Sequence, residues 1–284
     1  MCIRDRSISH NVVRSIYEDS SETLWVGTMA GLNKFVRDTE QFIRYQYDPT
    51  DPSSLSNDAV YMVFEDQAGN LWAGTWGGGL NVFDRDTETF THYQANSADP
   101  HSLSNNNVWQ MYEDQAGMVW IATDGGGVNI IDLGGKPFRH YRSIPGDPNS
   151  LRDNAVRTIY EDQTGVLWIG TNGGGLAKFG LQTEQFTIYK HDPDDPNSLR
   201  SNSVWVIYED HMRNLWFGGY GTGLTKFDRD TERFTYYQHN PENPLSLSND
   251  SIWAIYEDWS GVLWIGTNGG GLNKFDRETE QFTL

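Results

Sequence analysis

One unit of sequence is repeated six times along this chain of 284 residues, and this repeat restricts the fold more than any other feature. The dipeptide Glu-Asp marks each copy. Its aspartate recurs after 47 residues and then every 48 residues, as Asp19, Asp66, Asp114, Asp162, Asp210 and Asp258. A tryptophan follows each aspartate six residues later, as Trp25, Trp72, Trp120, Trp168, Trp216 and Trp264. We therefore expect six structural repeats, at about 7–53, 54–101, 102–149, 150–197, 198–245 and 246–284, after a non-repeated head at residues 1–6.

Each copy contains four short segments that are typical of β-strands. In the second copy they are residues 59–65 (AVYMVFE), 71–75 (LWAGT), 80–84 (LNVFD) and 90–93 (FTHY), which are rich in β-branched and aromatic residues. Turn sequences such as DQAG and GGG separate them. Four antiparallel strands in about 48 residues is the size of one propeller blade. The sequence predicts an all-β fold, a β-propeller of six four-stranded blades, which form either a closed six-bladed ring or an arc of a larger propeller array.

The composition restricts the partners and cofactors of the chain. Acidic residues outnumber basic ones 39 to 21, for a net charge of −18, so we expect no binding to nucleic acid. No run of about 18 apolar residues is present, which predicts no membrane span within this chain. The single cysteine, Cys2, excludes an internal disulfide and any multi-cysteine metal site. The seven histidines show no paired metal-binding spacing, and we expect neither a metal nor another cofactor.

The repeated motif resembles a known family. Residues 154–176 (NAVRTIYEDQTGVLWIGTNGGGL) and 250–272 are similar to the two-component regulator propeller repeat, and the resemblance covers nearly the whole chain. Copy one departs from the pattern because its turn TMAG is one residue shorter. The resemblance implies a periplasmic or extracellular sensor region of a hybrid two-component protein, whose partners include other domains of the same protein. We expect the chain to be a piece of such a sensor, with a histidine kinase outside it.

The repeated carboxylates are expected to serve the scaffold rather than catalysis. Each Glu-Asp pair begins a turn that usually has glycine at its fourth position, and an enzyme seldom needs six identical sites. No nucleophile lies in a Gly-x-Ser-x-Gly motif, and no helix is predicted after a glycine run to hold a phosphate. We therefore predict no catalytic residue.

Candidate binding residues are sought where the copies differ, because the demands of the scaffold are the same in every copy. Five residues before each repeated aspartate the chain has Arg14, Tyr61, Trp109, Arg157, Trp205 and Trp253. In the turn after the second strand, copies two to six have Trp76, Asp124, Asn172, Tyr220 and Asn268. If the first strand is innermost, both sets lie at the same rim of the propeller.

Such a rim of aromatic, guanidinium and amide groups suits an oligosaccharide or another small periplasmic ligand. The same aromatic residues could instead fill the seams between blades. Two alternative functions stay open, a structural or protein-interaction propeller and a propeller lyase or glycosidase. The second would need two carboxylates, and Asp124 is the only acid at the variable positions. Trp259 is expected at the opposite face, either as a contact for a partner domain or as a simple exposed aromatic.

Overall fold

The structure is a computed structural model that describes residues 3–5, 7–132 and 137–284. All regular secondary structure in these residues is β-strand. The chain divides into two compact units, Met1–Tyr141 and Arg142–Leu284, and each contains three of the repeated sheets. The prediction of an all-β propeller fold with six four-stranded blades is confirmed.

Unit 1 contains blades 1 to 3. Blade 1 has the strands β2 (Val13–Glu18), β3 (Leu24–Thr28), β4 (Gly31–Val36) and β5 (Gln41–Tyr45). Blade 2 has β6 (Val60–Glu65), β7 (Leu71–Thr75), β8 (Gly79–Asp84) and β9 (Thr89–Tyr93). Blade 3 has β10 (Val108–Glu113), β11 (Met118–Thr123), β12 (Gly127–Asp132) and β13 (Arg139–Tyr141). An additional strand, β1 (Ile3–Asp5), pairs antiparallel with β5 at the edge of blade 1. It lies in the head, of which residues 1, 2 and 6, including Cys2, are outside the described residues.

Unit 2 contains blades 4 to 6. Blade 4 has β14 (Val156–Glu161), β15 (Leu167–Thr171), β16 (Leu176–Gly180) and β17 (Gln185–Tyr189). Blade 5 has β18 (Val206–Glu209), β19 (Leu215–Gly218), β20 (Leu224–Asp228) and β21 (Arg233–Tyr237). Blade 6 has β22 (Ile252–Glu257), β23 (Leu263–Thr267), β24 (Gly271–Asp276) and β25 (Gln281–Thr283).

Within every blade the four strands are antiparallel and adjacent in chain order. The four strands predicted for the second copy agree with β6 to β9 to within one residue at each end. The first strands of neighbouring blades in one unit pack next to each other, as β2 does with β6 and β18 with β22. Blade 2 and blade 5, the middle blades of their units, are therefore covered on both faces by their neighbours.

The apolar core consists of clusters that each lie between two neighbouring blades. Between blades 1 and 2 the buried side chains include Trp25, Leu71 and Phe83, with the Trp25 and Phe83 ring centroids 5.2 Å apart. Between blades 5 and 6 the equivalent pair is Trp216 and Phe275, at 5.4 Å. The repeated tryptophan therefore fills the seam between neighbouring blades of one unit.

The spacing of six residues between the repeated aspartate and tryptophan has a structural cause. In all six blades the indole Nε1 donates a hydrogen bond to the aspartate Oδ2 at 2.7–2.8 Å. The other carboxylate oxygen accepts from the backbone of the turn; in blade 2, Asp66 Oδ1 accepts from the N–H groups of Ala68 (3.0 Å) and Asn70 (2.8 Å). The aspartate thus closes the first turn and anchors the seam tryptophan at the same time.

Candidate functional site

The first candidate position lies in a β-bulge. In blade 2, Val60 pairs with Thr75 and Met62 pairs with Gly74, so that Tyr61 between them opposes no residue of β7. The register shifts at the same place around Arg14, Trp109, Arg157 and Trp253. In blade 5, Trp205 directly precedes β18 and its N–H donates to Gly218 O at 2.7 Å. A bulge bends the strand and redirects the side chain, and bulges are frequent next to binding sites.

The second candidate position lies at the same end of each blade. The residue that follows the second strand donates its backbone N–H to a carbonyl just before the first strand. Trp76 donates to Ala59 O at 2.9 Å, and Asn268 donates to Ser251 O at 2.8 Å. Asp124 and Asn172 make the same bond, each at 2.9 Å. The fold therefore places the two variable positions of each blade side by side.

Four side chains of unit 1 form an aromatic group that we call the unit 1 cluster: Arg14, Tyr61, Trp76 and Trp109. Tyr61 stacks on Trp76, with ring centroids 5.4 Å apart and an interplanar angle of 29°. Trp109 meets both rings by its edge, at 4.8 Å from Tyr61 and 5.4 Å from Trp76. The guanidinium of Arg14 lies 4.8 Å from the centroid of Tyr61, within the range of a cation–π interaction. The cluster joins blades 1, 2 and 3.

Four side chains of unit 2 form a comparable group, the unit 2 cluster: Asn172, Trp205, Tyr220 and Trp253. Trp205 is central, with ring centroids 5.5 Å from Tyr220 and 4.8 Å from Trp253. Its indole Nε1 donates to Asn172 Oδ1 at 3.0 Å. Tyr220 and Trp253 are exposed to solvent. This cluster therefore presents open aromatic surface beside an amide group.

The remaining candidates occupy the equivalent positions of blades 3, 4 and 6. Asp124, in blade 3, and Arg157, in blade 4, are half-buried, and Asn268, in blade 6, is exposed. Trp259 lies in the turn between β22 and β23. Because Ile252 pairs with Thr267 at one end of this strand pair and Glu257 with Leu263 at the other, this turn is at the opposite end of the blade from Trp253.

The repeated Glu-Asp carboxylates are held within the scaffold. The Asp210 side chain is fully buried, and its Oδ2 accepts from Trp216 Nε1 at 2.8 Å and from the Arg277 guanidinium of the next blade at 2.6 Å. Burial disfavours the charged form of Asp210. The hydrogen bonds from Trp216, Arg277 and Asn214 outweigh this effect and hold its pKa below the ordinary value. The carboxylate is therefore ionised at neutral pH and occupied by structural donors.

The arginines that join two neighbouring blades, such as Arg277, were not predicted from the sequence. Arg85 and Arg229 repeat the arrangement of Arg277, each joining the aspartate of the preceding blade to the glutamate of its own blade. Their signal in the sequence is the arginine that follows the third strand, also present as Arg37. Their role could not be inferred from the sequence because both carboxylate partners are far away in the chain.

Two cavities lie away from the candidate positions. A cavity of about 690 Å³ lies along blades 2 and 3 and is lined by residues including Trp72, Tyr93 and His101. A cavity of about 400 Å³ lies along blades 4 and 5. Polar groups of the larger one are already used by the fold; for example, His92 Nε2 donates to Ser54 O at 2.7 Å. In the unit 2 cluster Tyr220 and Trp253 are exposed, which suits a ligand that is extended rather than enclosed.

In residues 3–5, 7–132 and 137–284, no three His, Cys, Asp or Glu residues are grouped to hold a metal ion. The same part of the chain has no helix long and apolar enough to cross a membrane.

The fold and the seam that repeats between blades define the class of this protein, a β-propeller built from repeated blades. The family model of the two component regulator propeller matches residues 7–30, 54–77, 102–125, 150–173, 198–221 and 246–269, which together make up half of the chain. The chain belongs to this family, as its resemblance implied. No curated protein matches it.

Two solved structures are similar to this chain. The extracellular domain of a hybrid two-component system from B. thetaiotaomicron is 32% identical, with a TM-score of 0.77 over 94% of this chain and 34% of that one. The extracellular domain of a one-component system from the same organism is 24% identical, with a TM-score of 0.58 over 98% of this chain and 43% of that one. The chain thus spans about a third of the length of the first of these structures.

A propeller enzyme shares the fold alone. Virginiamycin B lyase from Staphylococcus aureus is 14% identical, with a TM-score of 0.67 over 98% of this chain and 83% of that one. An identity this low carries no information about activity.

Proposed function

We propose that this chain is the ligand-binding propeller of an extracytoplasmic two-component sensor, and that it recognises an oligosaccharide through the two aromatic clusters without catalysing a reaction. One observation carries the proposal. In both units, side chains that differ between copies are grouped at one end of neighbouring blades, near the start of the first strand and in the adjoining turn, where they combine aromatic rings with a guanidinium or an amide.

The chemistry of the clusters fits a sugar. The apolar faces of sugar rings stack on flat aromatic surfaces, which the exposed rings of Tyr220 and Trp253 supply. The Asn172 amide in unit 2 and the Arg14 guanidinium in unit 1 are placed to bind hydroxyl or carboxylate groups. The net charge of −18 disfavours a heavily sulfated polysaccharide, so a neutral or sparsely charged oligosaccharide is the expected class.

The pKa values and positions of the carboxylates support the proposal that this chain does not catalyse a reaction. A general acid needs a raised pKa, whereas the pKa values of Asp19, Asp162 and Asp210 are lowered by hydrogen bonds that outweigh the effect of their burial. Asp124 is the only acid at the candidate positions, and glycoside hydrolysis of the usual kind needs two carboxylates on either side of the bond. The clusters therefore suit binding better than cleavage.

The sensor role and the location outside the cytoplasm are proposed from the family and from the 32% identical extracellular domain. In this proposal, ligand binding at the clusters biases the arrangement of the blades, and other domains of the same protein receive that change. A ligand can shift such an equilibrium only by the difference in its affinity for the two states.

A thermal-shift experiment on the chain tests the proposal. We expect at least one member of a panel of neutral and uronate-containing oligosaccharides to raise the Tm, since a ligand at a hundred times its Kd adds about 2.7 kcal/mol of stability. The double variant Trp205→Ala/Trp253→Ala should lose the ligand-induced shift of that sugar. Trp259→Ala is the matched control, because Trp259 is exposed at the other end of blade 6 and should leave the shift unchanged.

Two results would contradict the proposal. A full ligand-induced shift in the double variant would exclude the unit 2 cluster as the binding site. If no oligosaccharide shifted the Tm of a cooperatively unfolding protein, a protein-interaction propeller would become the better interpretation of the clusters.

A further inference from the structure

A glutamate of the following blade closes two of the seams beside the fourth strand. At the seam of blades 1 and 2, Glu88 Oε1 accepts a hydrogen bond from the Tyr45 hydroxyl at 3.0 Å and lies 3.7 Å from the Lys34 ammonium. At the seam of blades 5 and 6, Glu280 accepts from the Tyr237 hydroxyl at 2.8 Å. The tyrosine of the fourth strand, together with a lysine of the third strand in blade 1, thus forms a site for one carboxylate.

The seam of blades 4 and 5 has the same donors but no such bond. Tyr189, Lys178 and Glu232 occupy the equivalent positions of this seam. Within the described residues, Glu232 accepts no hydrogen bond from Tyr189 and forms no ion pair with Lys178. All three residues line the cavity of about 400 Å³ between the two blades. This seam is therefore open at the point where the other two are closed.

The Tyr189 hydroxyl and the Lys178 ammonium are both available to a ligand. Burial, with a further contribution from the charge of Glu232, raises the pKa of Tyr189 above its ordinary value of 10.0, so that the hydroxyl is protonated at neutral pH. It donates to no acceptor in the part of the chain that the structure describes. Lys178 Nζ lies 5.7 Å from the ring centroid of Trp168, and no carboxylate among the described residues pairs with it. A hydrogen-bond donor and a cation therefore border the cavity without a carboxylate between them.

The other charged groups of the cavity do not exclude an anion. Arg213, in the first turn of blade 5, is exposed and has no carboxylate partner in the described ranges. The buried Nε of Arg229 has no hydrogen-bond partner there either, although an amino group of this side chain is paired with a buried aspartate. Asp228 accepts from two N–H groups of its own turn. Asp230 and Glu232 are exposed, so that water and salt screen their repulsion of an anion.

We propose that this cavity is a second binding site, for a small organic carboxylate of the sugar-acid type. The ligand carboxylate takes the place that Glu88 has at the seam of blades 1 and 2, because it accepts a hydrogen bond from Tyr189 and pairs with Lys178. A volume of about 400 Å³ is within the range of small-molecule sites, and Phe227 adds an apolar wall for the body of the ligand. The site lies away from the two aromatic clusters and does not depend on the function proposed for them.

An NMR titration of the whole chain with sodium glucuronate tests this site, with glucose as the uncharged control ligand. We expect glucuronate, but not glucose, to bind at millimolar concentration. Tyr189→Phe and Lys178→Met each remove one contact of the carboxylate and should raise the Kd by about tenfold, because an interaction with a charged group is lost. Glu232→Gln should lower the Kd, because it removes a competing carboxylate from the cavity.

Two control variants separate this site from general charge effects and from the clusters. Lys226→Met removes the equivalent lysine of blade 5, whose seam with blade 6 is already closed by Tyr237 and Glu280, and should leave the Kd unchanged. Trp205→Ala/Trp253→Ala disrupts the unit 2 cluster and should also leave the Kd unchanged. A failure of the function proposed for the clusters would therefore not affect this test.

Three outcomes would overturn the proposal. The first is a chain that does not bind glucuronate at millimolar concentration. The second is equal binding of glucose and glucuronate, which would show that the carboxylate is not recognised. The third is a Kd that Tyr189→Phe and Lys178→Met leave unchanged, or that Lys226→Met raises by the same factor, which would place the binding elsewhere on the chain.

Discussion

Replacing Asp210, which an arginine of the next blade contacts, should destabilise the protein more than replacing Asp114, the equivalent aspartate of blade 3. Asp210 Oδ2 accepts from Trp216 Nε1 and from Arg277, and Oδ1 accepts from Asn214 N at 2.8 Å. Asp210→Asn keeps the size of the side chain but removes its charge and places an amide donor or a neutral oxygen opposite these donors. The change therefore removes the charge and one hydrogen-bond acceptor of the seam together.

The loss of stability expected for Asp210→Asn depends on the surroundings of Arg277. Removing one partner of a buried ion pair costs about 3–5 kcal/mol, because a charge is left without compensation. Arg277 keeps Glu257 and is 21% exposed, which lowers the expected cost to about 2–3 kcal/mol. Asp114 makes the same bonds to its indole and its turn, but no arginine contacts it in the described residues. Asp114→Asn should therefore cost only about 1 kcal/mol.

Urea denaturation of both variants at neutral pH measures this difference as the free energy of unfolding. The pH dependence supplies a second measurement. Hydrogen bonds hold the pKa of folded Asp210 below its unfolded value of about 3.9, despite the opposing effect of burial. Its contribution is thus fully present above about pH 4 and is lost as the pH falls through the folded pKa. Asp210→Asn should lose less stability on acidification than the unmodified chain. Equal costs for Asp210→Asn and Asp114→Asn would refute the assigned role of Arg277.

Two further predictions concern the backbone and a buried tyrosine. Gly79→Ala should cost more than about 2 kcal/mol of stability, because Gly79 has a φ of +79° and an added Cβ would lie 2.4 Å from Tyr93 O. Gly69→Ala should cost only about 1 kcal/mol, because Gly69 has a similar φ of +85° but no atom within 4 Å of the added Cβ. Thermal unfolding of the two variants measures the difference. Burial, with the nearby charge of Glu209, raises the pKa of Tyr160 to about 12 from 10.0. Its contribution to stability is present below pH 10 and is lost as the pH rises towards about 12, so Tyr160→Phe should flatten the alkaline part of a urea-stability profile.

The fold could be predicted from the sequence because the repeat supplies six copies of the same local evidence. Strands such as β7 and β8 are bounded by turn residues whose preferences agree with the final structure, and every copy repeats the agreement. The pairing of Asp66 with Trp72 was visible as a spacing, but the hydrogen bond behind it was not. That bond depends on the angle at which two adjacent strands present their side chains, which spacing alone does not specify.

The site could be predicted only as a set of positions. The sequence indicated that Tyr61 and Trp76 vary between copies and lie at one end of their blade, and the structure places their rings 5.4 Å apart. It did not indicate the bulge at Tyr61, because a bulge is a property of the register between two strands.

The bulge gives a physical reason why the variable residues are found where they are. A residue such as Tyr61 opposes no partner in β7, so its side chain is not restricted by the pleat or by the buried seams that constrain Val60 and Val63. The scaffold consequently accepts arginine, tyrosine or tryptophan at this position, which is why blades of nearly identical construction carry different groups. Residues that are the same in all six copies, such as the buried Asp210, are held by the scaffold and have little freedom to adapt to a ligand. Recognition in this chain is therefore best sought at the bulges.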